Sequence, residues 1–262
     1  MTKIFAISNQ KGGVAKTTSC FSLAACLAEG GYHTLMVDLD PQAHLTMAAG
    51  LDPDEVEHSS ADLLGLSAAD ALPQDIIHST GMAGLDLLPG DLRLAQIERS
   101  ISAVDGYEFQ LKQSIASLAT EYDFILLDCP PSMGTLTIQA LTAADIALVP
   151  VQCEYFASRG LLRLLDIIQA VRQHTNPALD YFVFVTMYDG RNLISRRVLE
   201  ELQQHFDRRL FQTLIRMDTR LRESPMAGEP VVTYAPRTRA AQEYRSLAEE
   251  LLARLEQKEN TP

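Results

Sequence analysis

The stretch Gln10-Lys11-Gly12-Gly13-Val14-Ala15-Lys16-Thr17-Thr18 decides the fold of this chain. An apolar run at 4–7 precedes it and predicts a buried strand; the Ala- and Leu-rich segment at 20–27 follows it and predicts a helix. A strand, a glycine-rich loop, a Lys-Thr pair and a helix together form a phosphate-binding P-loop, in which backbone N–H groups surround phosphate oxygens. We therefore expect residues 11–18 to bind a nucleotide, with Lys16 on the β- and γ-phosphates and Thr17 on Mg²⁺.

The loop departs from the pattern G-x-x-x-x-G-K-[ST], because Gln10 and Ala15 stand where that pattern has glycines. A second lysine, Lys11, directly precedes the glycine pair, which fits the deviant form K-G-G-x-x-K-[ST]. The alternative interpretation is an ordinary surface turn. The strand and helix on either side of the loop favour the nucleotide site.

Composition describes an ordinary soluble protein. The chain has 262 residues, of which 47% are hydrophobic and 21% charged. It contains no apolar stretch of about 18 residues and no signal-peptide pattern, so we expect no membrane partner and a cytoplasmic location. The four cysteines lack metal-type spacing and are expected to be reduced thiols.

Charge is unevenly distributed. The formal net charge is -12, yet residues 190–262 carry 13 basic and 11 acidic residues, and twelve of the basic ones are arginines. Arginine binds phosphate in a bidentate manner, so a local basic face is one interpretation of this segment. Solvated helix surface is the other.

Apolar runs and helical periodicity alternate along the chain. The pattern predicts strands at 3–8, 34–38, 85–88, 124–128, 146–151, 181–186 and 211–215, and helices at 92–118, 161–171, 198–205 and 240–255. This order predicts an α/β fold with a doubly wound, mostly parallel sheet and flanking helices. We expect one P-loop ATPase domain at 1–256, a peripheral insertion at 51–79 and a disordered tail at 257–262.

Carboxylates follow two of the predicted strands. Asp38 and Asp40 lie at the end of one strand, where ligands bind in a doubly wound sheet. One of them could orient a water and the other could support a metal site, although a solvated turn before Pro41 is the alternative. Asp128 ends the apolar run at 124–127, as in a Walker-B strand, and would hold Mg²⁺ through water opposite Thr17.

These motifs resemble those of ParA/Soj-type chromosome or plasmid partitioning ATPases, a deviant Walker-A family. The matching stretches cover most of the chain: 9–18, 37–42, 127–132, 149–160, 220–230 and 234–244. Because the sequence starts at the first predicted strand, it is similar to the short form without an N-terminal helix-turn-helix domain.

The resemblance implies ATP and Mg²⁺ as cofactors and an ATP-dependent homodimer. In the family pattern Lys11 reaches the partner's nucleotide, Lys16 binds phosphate and Asp40 positions the attacking water, so these three are the implied catalytic residues. The ATP dimer would bind double-stranded DNA without sequence preference, and a ParB-like protein would stimulate hydrolysis. The expected location is the nucleoid.

The resemblance also implies DNA contacts by Arg191, Arg220 and Arg222, and a contact of Met217 with the nucleotide base. Ordinary surface pairing is the alternative for each arginine. Two departures from the family stand out: Arg216-Met217-Asp218 replaces the usual Pro-Arg-Asn beside the base, and Arg159 replaces an acidic residue.

The sequence favours some alternative functions over others. A related ATPase that positions a different cargo would use the same chemistry, so the site residues do not distinguish it. A MinD-like membrane ATPase needs a basic amphipathic C-terminal helix, but residues 247–257 hold three glutamates against one arginine. An iron-protein reductase needs cysteines in glycine-rich loops, a context that Cys129 and Cys153 lack.

Overall fold

The computed structural model describes residues 2–64, 73–154 and 157–259. Within them eight strands form one sheet in the order β3-β4-β2-β5-β1-β6-β7-β8. Every neighbouring pair is parallel except β3 and β4. The strands are β1 (Lys3–Ile7), β2 (Thr34–Asp38), β3 (His78–Ser79), β4 (Leu85–Leu88), β5 (Phe124–Asp128), β6 (Ile146–Gln152), β7 (Asp180–Tyr188) and β8 (Leu210–Arg216). The predicted doubly wound, mostly parallel sheet is confirmed.

Helices cover both faces of the sheet and bury its apolar strands. They are α1 (Lys16–Glu29), α2 (His44–Ala48), α3 (Ser60–Leu64), α4 (Leu94–Ser100), α5 (Gln110–Ser114), α6 (Thr135–Ala143), α7 (Ala157–His174), α8 (Leu193–Phe206), α9 (Arg220–Glu223), α10 (Val231–Tyr234) and α11 (Arg239–Glu259). Helices α1, α2, α10 and α11 pack on one face, and α3 to α8 pack on the other. The central strands are buried on both sides, which explains their continuous apolar runs.

Some predicted elements differ from the observed ones. The helix predicted at 92–118 is instead α4, α5 and short 3₁₀ turns, because Gly106 adopts φ +74° between them. The insertion predicted at 51–79 contains α3 and the antiparallel strand β3, and its residues 65–72 lie outside the described chain. Helix α11 continues to Glu259, past the predicted start of the disordered tail at Gln257; residues 260–262 are not described.

No helix in the described ranges is both long and apolar enough to cross a membrane.

Candidate nucleotide-binding site

The P-loop connects β1 to α1 at the carboxyl edge of the sheet, and two hydrogen bonds anchor it to neighbouring strands. Asn9 Nδ2 donates to the Pro150 carbonyl of β6 at 2.7 Å. Thr186 Oγ1, on β7, donates to the Val14 carbonyl at 3.0 Å. Gly13 adopts φ +74°, and Ala15 adopts φ +63° directly before the helix. The loop therefore keeps its left-handed turn at Ala15 without a glycine, at a cost of about 1 kcal/mol.

Lys16 begins α1 and is only 7% exposed. Its Nζ lies 3.4 Å from the Lys11 carbonyl inside the loop. Burial lowers the pKa of Lys16, and the negative charges of Asp128 and Asp40 oppose that shift. A buried ammonium group inside a P-loop is suited to binding anionic phosphates.

Asp38 and Asp128 end the adjacent strands β2 and β5 in register, and both are fully buried. Asp38 accepts hydrogen bonds from Thr46 N (2.9 Å), Thr46 Oγ1 (2.8 Å) and Asp40 N (3.1 Å). Burial raises the pKa of Asp38 to about 6 in spite of these bonds. Both carboxylate oxygens of Asp38, which the sequence predicted to support a metal site, thus already accept hydrogen bonds from the protein. These bonds fix the turn after β2.

Asp128 is in the opposite situation. Neither of its carboxylate oxygens has a hydrogen-bond partner of normal geometry among the described residues. Burial, with a further contribution from Asp38, raises the pKa of Asp128 well above its usual value; the nearby Thr17 hydroxyl and Lys16 ammonium oppose the shift. Buried carboxylates without partners are rare and costly, so this group is prepared for a cation or an ordered water.

The residues present fit a Mg²⁺ ion. Thr17 and Asp128, whose hydroxyl and carboxyl groups lie close together, supply the hard oxygen atoms that Mg²⁺ prefers. The described chain has no group of three or more His, Cys, Asp or Glu residues that could enclose a metal. Phosphate oxygens and waters would therefore complete the coordination, as is usual for Mg²⁺.

Asp40 is 6% exposed, and its Oδ1 accepts a hydrogen bond from Gln42 N at 2.9 Å. It lines a cavity of about 600 Å³ together with Lys16 and Thr17. Asp40 and the P-loop residues Lys16 and Thr17 therefore line the same cavity, as the sequence predicted.

A second cavity of about 330 Å³ adjoins the P-loop. It shares Gly13, Ala15 and Thr18 with the larger cavity and extends toward the loop after β8. Met217, for which the family resemblance implies a contact with the nucleotide base, lines this cavity. Residues that the sequence did not indicate complete the wall: Thr186, Met187, Ile215, Leu221 and Tyr244.

Lys11 forms an ion pair with Glu154, two residues after the end of β6, and sequence reasoning missed this pair. Its backbone N–H donates to Asn9 Oδ1 at 3.0 Å. About a third of the side chain is exposed, so the ammonium group is accessible at the protein surface.

The predicted DNA-binding arginines do not form one cluster of unpaired cations. Arg191 is 93% exposed and pairs with Asp189 at 2.9 Å, and Arg220 pairs with Glu223 at 2.5 Å. Arg222 lines the 330 Å³ cavity. The side chain of Arg159 lies outside the described part of the structure.

The chain is similar to known proteins over nearly its whole length. A family model described as an AAA domain matches residues 2–181. The chain is 42% identical to the sporulation initiation inhibitor protein Soj of Bacillus subtilis strain 168, covering 97% of this chain and 99% of Soj. It is 38% identical to the chromosome partitioning protein ParA of Myxococcus xanthus, covering 96% and 88% of the two chains.

Among solved structures, cobyrinic acid a,c-diamide synthase from Mycobacterium smegmatis, with an ATP analogue and magnesium bound, superposes with a TM-score of 0.86. It is 35% identical to this chain, and the match covers 100% of this chain and 99% of that one.

Proposed function

The chain belongs to the ParA/Soj family of P-loop ATPases, and we propose that it uses ATP hydrolysis to partition DNA. It is an ATPase whose cofactors are ATP and Mg²⁺. The observation that carries the ATPase part of the proposal is the Asp128 carboxylate, which is fully buried near Lys16 and Thr17 and has no hydrogen-bond partner of normal geometry among the described residues. That arrangement costs stability unless a nucleotide-bound cation occupies it.

Each residue of the site has a role in hydrolysis. Lys16 and the backbone N–H groups of the loop would hold the phosphates, while Thr17 and Asp128 would hold Mg²⁺, the latter through water. A Mg²⁺ ion held by these residues would supply positive charge that offsets the charge of the phosphates. Asp40, in the same cavity, orients the attacking water. Asp38 acts indirectly by fixing the turn that carries Asp40.

Lys11 is the residue that would contact the nucleotide of the other copy in a dimer. Its ammonium group pairs with Glu154 and is partly exposed at the rim of the P-loop. In an ATP-bound homodimer the Lys11 side chain of each copy would leave Glu154 and bind the partner's phosphates. The site would then be complete only in the dimer, since a further cation stabilises charge that develops on the phosphates.

DNA binding would exchange ion pairs within the chain for contacts with phosphate. Arg191 and Arg220 are exposed and already pair with carboxylates, so the exchange replaces one anion by another. Because such exposed pairs contribute only about 0–1 kcal/mol, breaking them is not a large barrier. Binding would be independent of base sequence and sensitive to salt. A ParB-like protein would stimulate hydrolysis, and the protein would locate to the nucleoid in its ATP state.

The direct test is binding to random-sequence duplex DNA with ATP, with ADP and without nucleotide, at two salt concentrations. We expect ATP-dependent binding that weakens as salt rises. Arg220→Glu should lower DNA affinity at least about tenfold, because it replaces a phosphate-binding cation by an anion. Size-exclusion chromatography with ATP should show an unchanged dimer.

Arg172→Glu is the matched control, since exposed Arg172 is in the last turns of α7, at the sheet edge away from the P-loop. It should retain wild-type DNA affinity. Absence of DNA binding in every nucleotide state, with ATP still bound, would contradict the partitioning proposal. Binding to anionic vesicles instead would favour a MinD-like role, and binding of another cellular protein would favour another cargo.

A second candidate follows from the 35% identity to the solved diamide synthase. ATP turnover that rises with cobyrinic acid and an ammonia source, and not with DNA, would favour that function.

A further inference from the structure

The 330 Å³ cavity is placed to receive the base of the nucleotide. It adjoins the P-loop through Gly13, Ala15 and Thr18, so a ring in it connects to phosphates in the larger cavity. Its side walls include the apolar side chains of Met187, Ile215 and Leu221. These walls can pack against either face of a flat ring, but they do not distinguish one purine from another.

Several polar groups that line this cavity already have partners within the chain. Thr186 Oγ1 donates to Val14, and Arg216 pairs with Glu243 at 2.6 Å. The Met217 N–H donates to the Tyr188 carbonyl, and the Met217 carbonyl accepts from Arg239. Base recognition therefore depends on the polar side chains that remain available.

Asp218 and Arg222 are two such side chains. Asp218 Oδ1 accepts a hydrogen bond from Arg220 N at 3.0 Å, which fixes the carboxylate at the start of α9. Its other oxygen accepts no hydrogen bond from any described residue, and Arg222 has no ion-pair partner within the described ranges. Asp218 thus provides the cavity with a carboxylate that accepts hydrogen bonds. Arg222, about one helical turn further along the chain, provides a guanidinium group that donates them.

This pair matches guanine more completely than adenine. An ionised carboxylate only accepts hydrogen bonds. Guanine presents two adjacent donors, N1–H and the N2 amino group, and its O6 and N7 accept from arginine. Adenine presents its N6 amino donor beside the N1 acceptor, so one carboxylate oxygen would face a lone pair. We infer that the base site accepts GTP as well as ATP, and that Asp218 determines this specificity.

Asp218→Asn is a sharp test because asparagine has nearly the same shape. Its Oδ1 can still accept from Arg220 N, so the turn before α9 should persist. Its amide N–H₂ would face a guanine N–H donor, and no hydrogen bond could form between them. The same N–H₂ could donate a hydrogen bond to adenine N1. The substitution should therefore separate the two nucleotides without unfolding the loop.

The measurement is calorimetric titration with the magnesium complexes of ATPγS and GTPγS. We expect wild-type protein to bind the guanine analogue within about tenfold of the adenine analogue. Asp218→Asn should increase the ratio of the guanine to the adenine dissociation constant by about tenfold or more. Asp105→Asn is the control: Asp105 is exposed and lines neither of the two cavities, so its substitution should leave the ratio unchanged.

Two results would overturn the inference: wild-type protein that binds the guanine analogue more than about tenfold more weakly, or an unchanged ratio in Asp218→Asn. Neither result bears on DNA binding, because the experiment contains no DNA. Failure of the partitioning proposal would likewise leave the base specificity intact.

Discussion

At the scale of single residues, the site consists of two buried carboxyl groups that differ in hydrogen bonding. Asp38 has three protein donors, whereas Asp128 has none of normal geometry among the described residues. Burial raises the pKa of both groups. Because the folded protein then holds these protons more tightly than the unfolded chain, its stability falls as pH rises through the folded-state pKa values. For Asp38 that window extends from about pH 4 to about pH 6.

Asp128→Asn should make the nucleotide-free protein more stable while abolishing Mg²⁺-dependent ATP hydrolysis. The substitution removes a buried charge that has no hydrogen-bond partner of normal geometry among the described residues, and we expect a gain of about 1–3 kcal/mol in the free energy of unfolding at pH 8. The gain should be smaller at pH 5 than at pH 8, because the raised pKa of Asp128 favours loss of the charge from the wild-type protein as pH falls. Urea unfolding at both pH values, with a phosphate-release assay, measures both effects.

Asp105→Asn is the control for this experiment, because Asp105 is exposed and far from the P-loop in sequence. It should change stability by less than about 0.5 kcal/mol. An Asp128→Asn protein that is less stable than wild type at both pH values would show that the carboxylate is stabilised in the nucleotide-free state.

At the scale of elements, side chains of α11 stabilise the edge strand β8 through hydrogen bonds and a cation–π contact. Arg254 is 15% exposed and donates to the Arg208 and Leu210 carbonyls. Its guanidinium lies 4.5 Å from the centre of the Phe211 ring. One turn earlier, Glu250 accepts from the backbone N–H groups of Gln212 and Thr213. These contacts explain why the helix is ordered to Glu259.

Arg254→Ala should lower the free energy of unfolding by about 2–3 kcal/mol, since several hydrogen bonds and a stacked cation are lost together. Chemical denaturation measures this loss. Arg237→Ala, at an exposed position just before α11, should have almost no effect. Equal stability of the two variants would mean that α11 is held by its apolar face alone.

The sequence predicted the elements whose patterns are local. Continuous apolar runs identified the central strands, because strands buried on both faces need no polar alternation. The Thr-rich helix α6 was missed, because its sequence TLTIQALTA combines weak helix propensity with burial on nearly every side. The P-loop and the carboxylates at 38, 40 and 128 were found from spacing, but the ion pair of Lys11 with Glu154 joins positions far apart in sequence. Only the three-dimensional structure shows such pairs.

At the scale of the whole molecule, nucleotide binding joins segments that are distant in the chain. The two cavities are lined by the P-loop, the turn after β2, and the segments that follow β5 and β8. A ligand that contacts all of these segments binds the folded state alone and stabilises it by mass action. At about 100 times its dissociation constant, Mg²⁺-ATP should add about 2.7 kcal/mol and raise the melting temperature by about 5 °C or more.

Lys16→Ala should abolish this thermal shift, because it removes the counter-charge for the phosphates from the centre of the P-loop. The nucleotide-free variant should melt no lower than wild type, since burial disfavours the Lys16 ammonium group and lowers its pKa. Differential scanning calorimetry with and without Mg²⁺-ATP measures both quantities. Lys112→Ala, at an exposed position on α5, should keep the full shift. A Lys16→Ala protein with a wild-type shift would mean that the nucleotide binds elsewhere on the molecule.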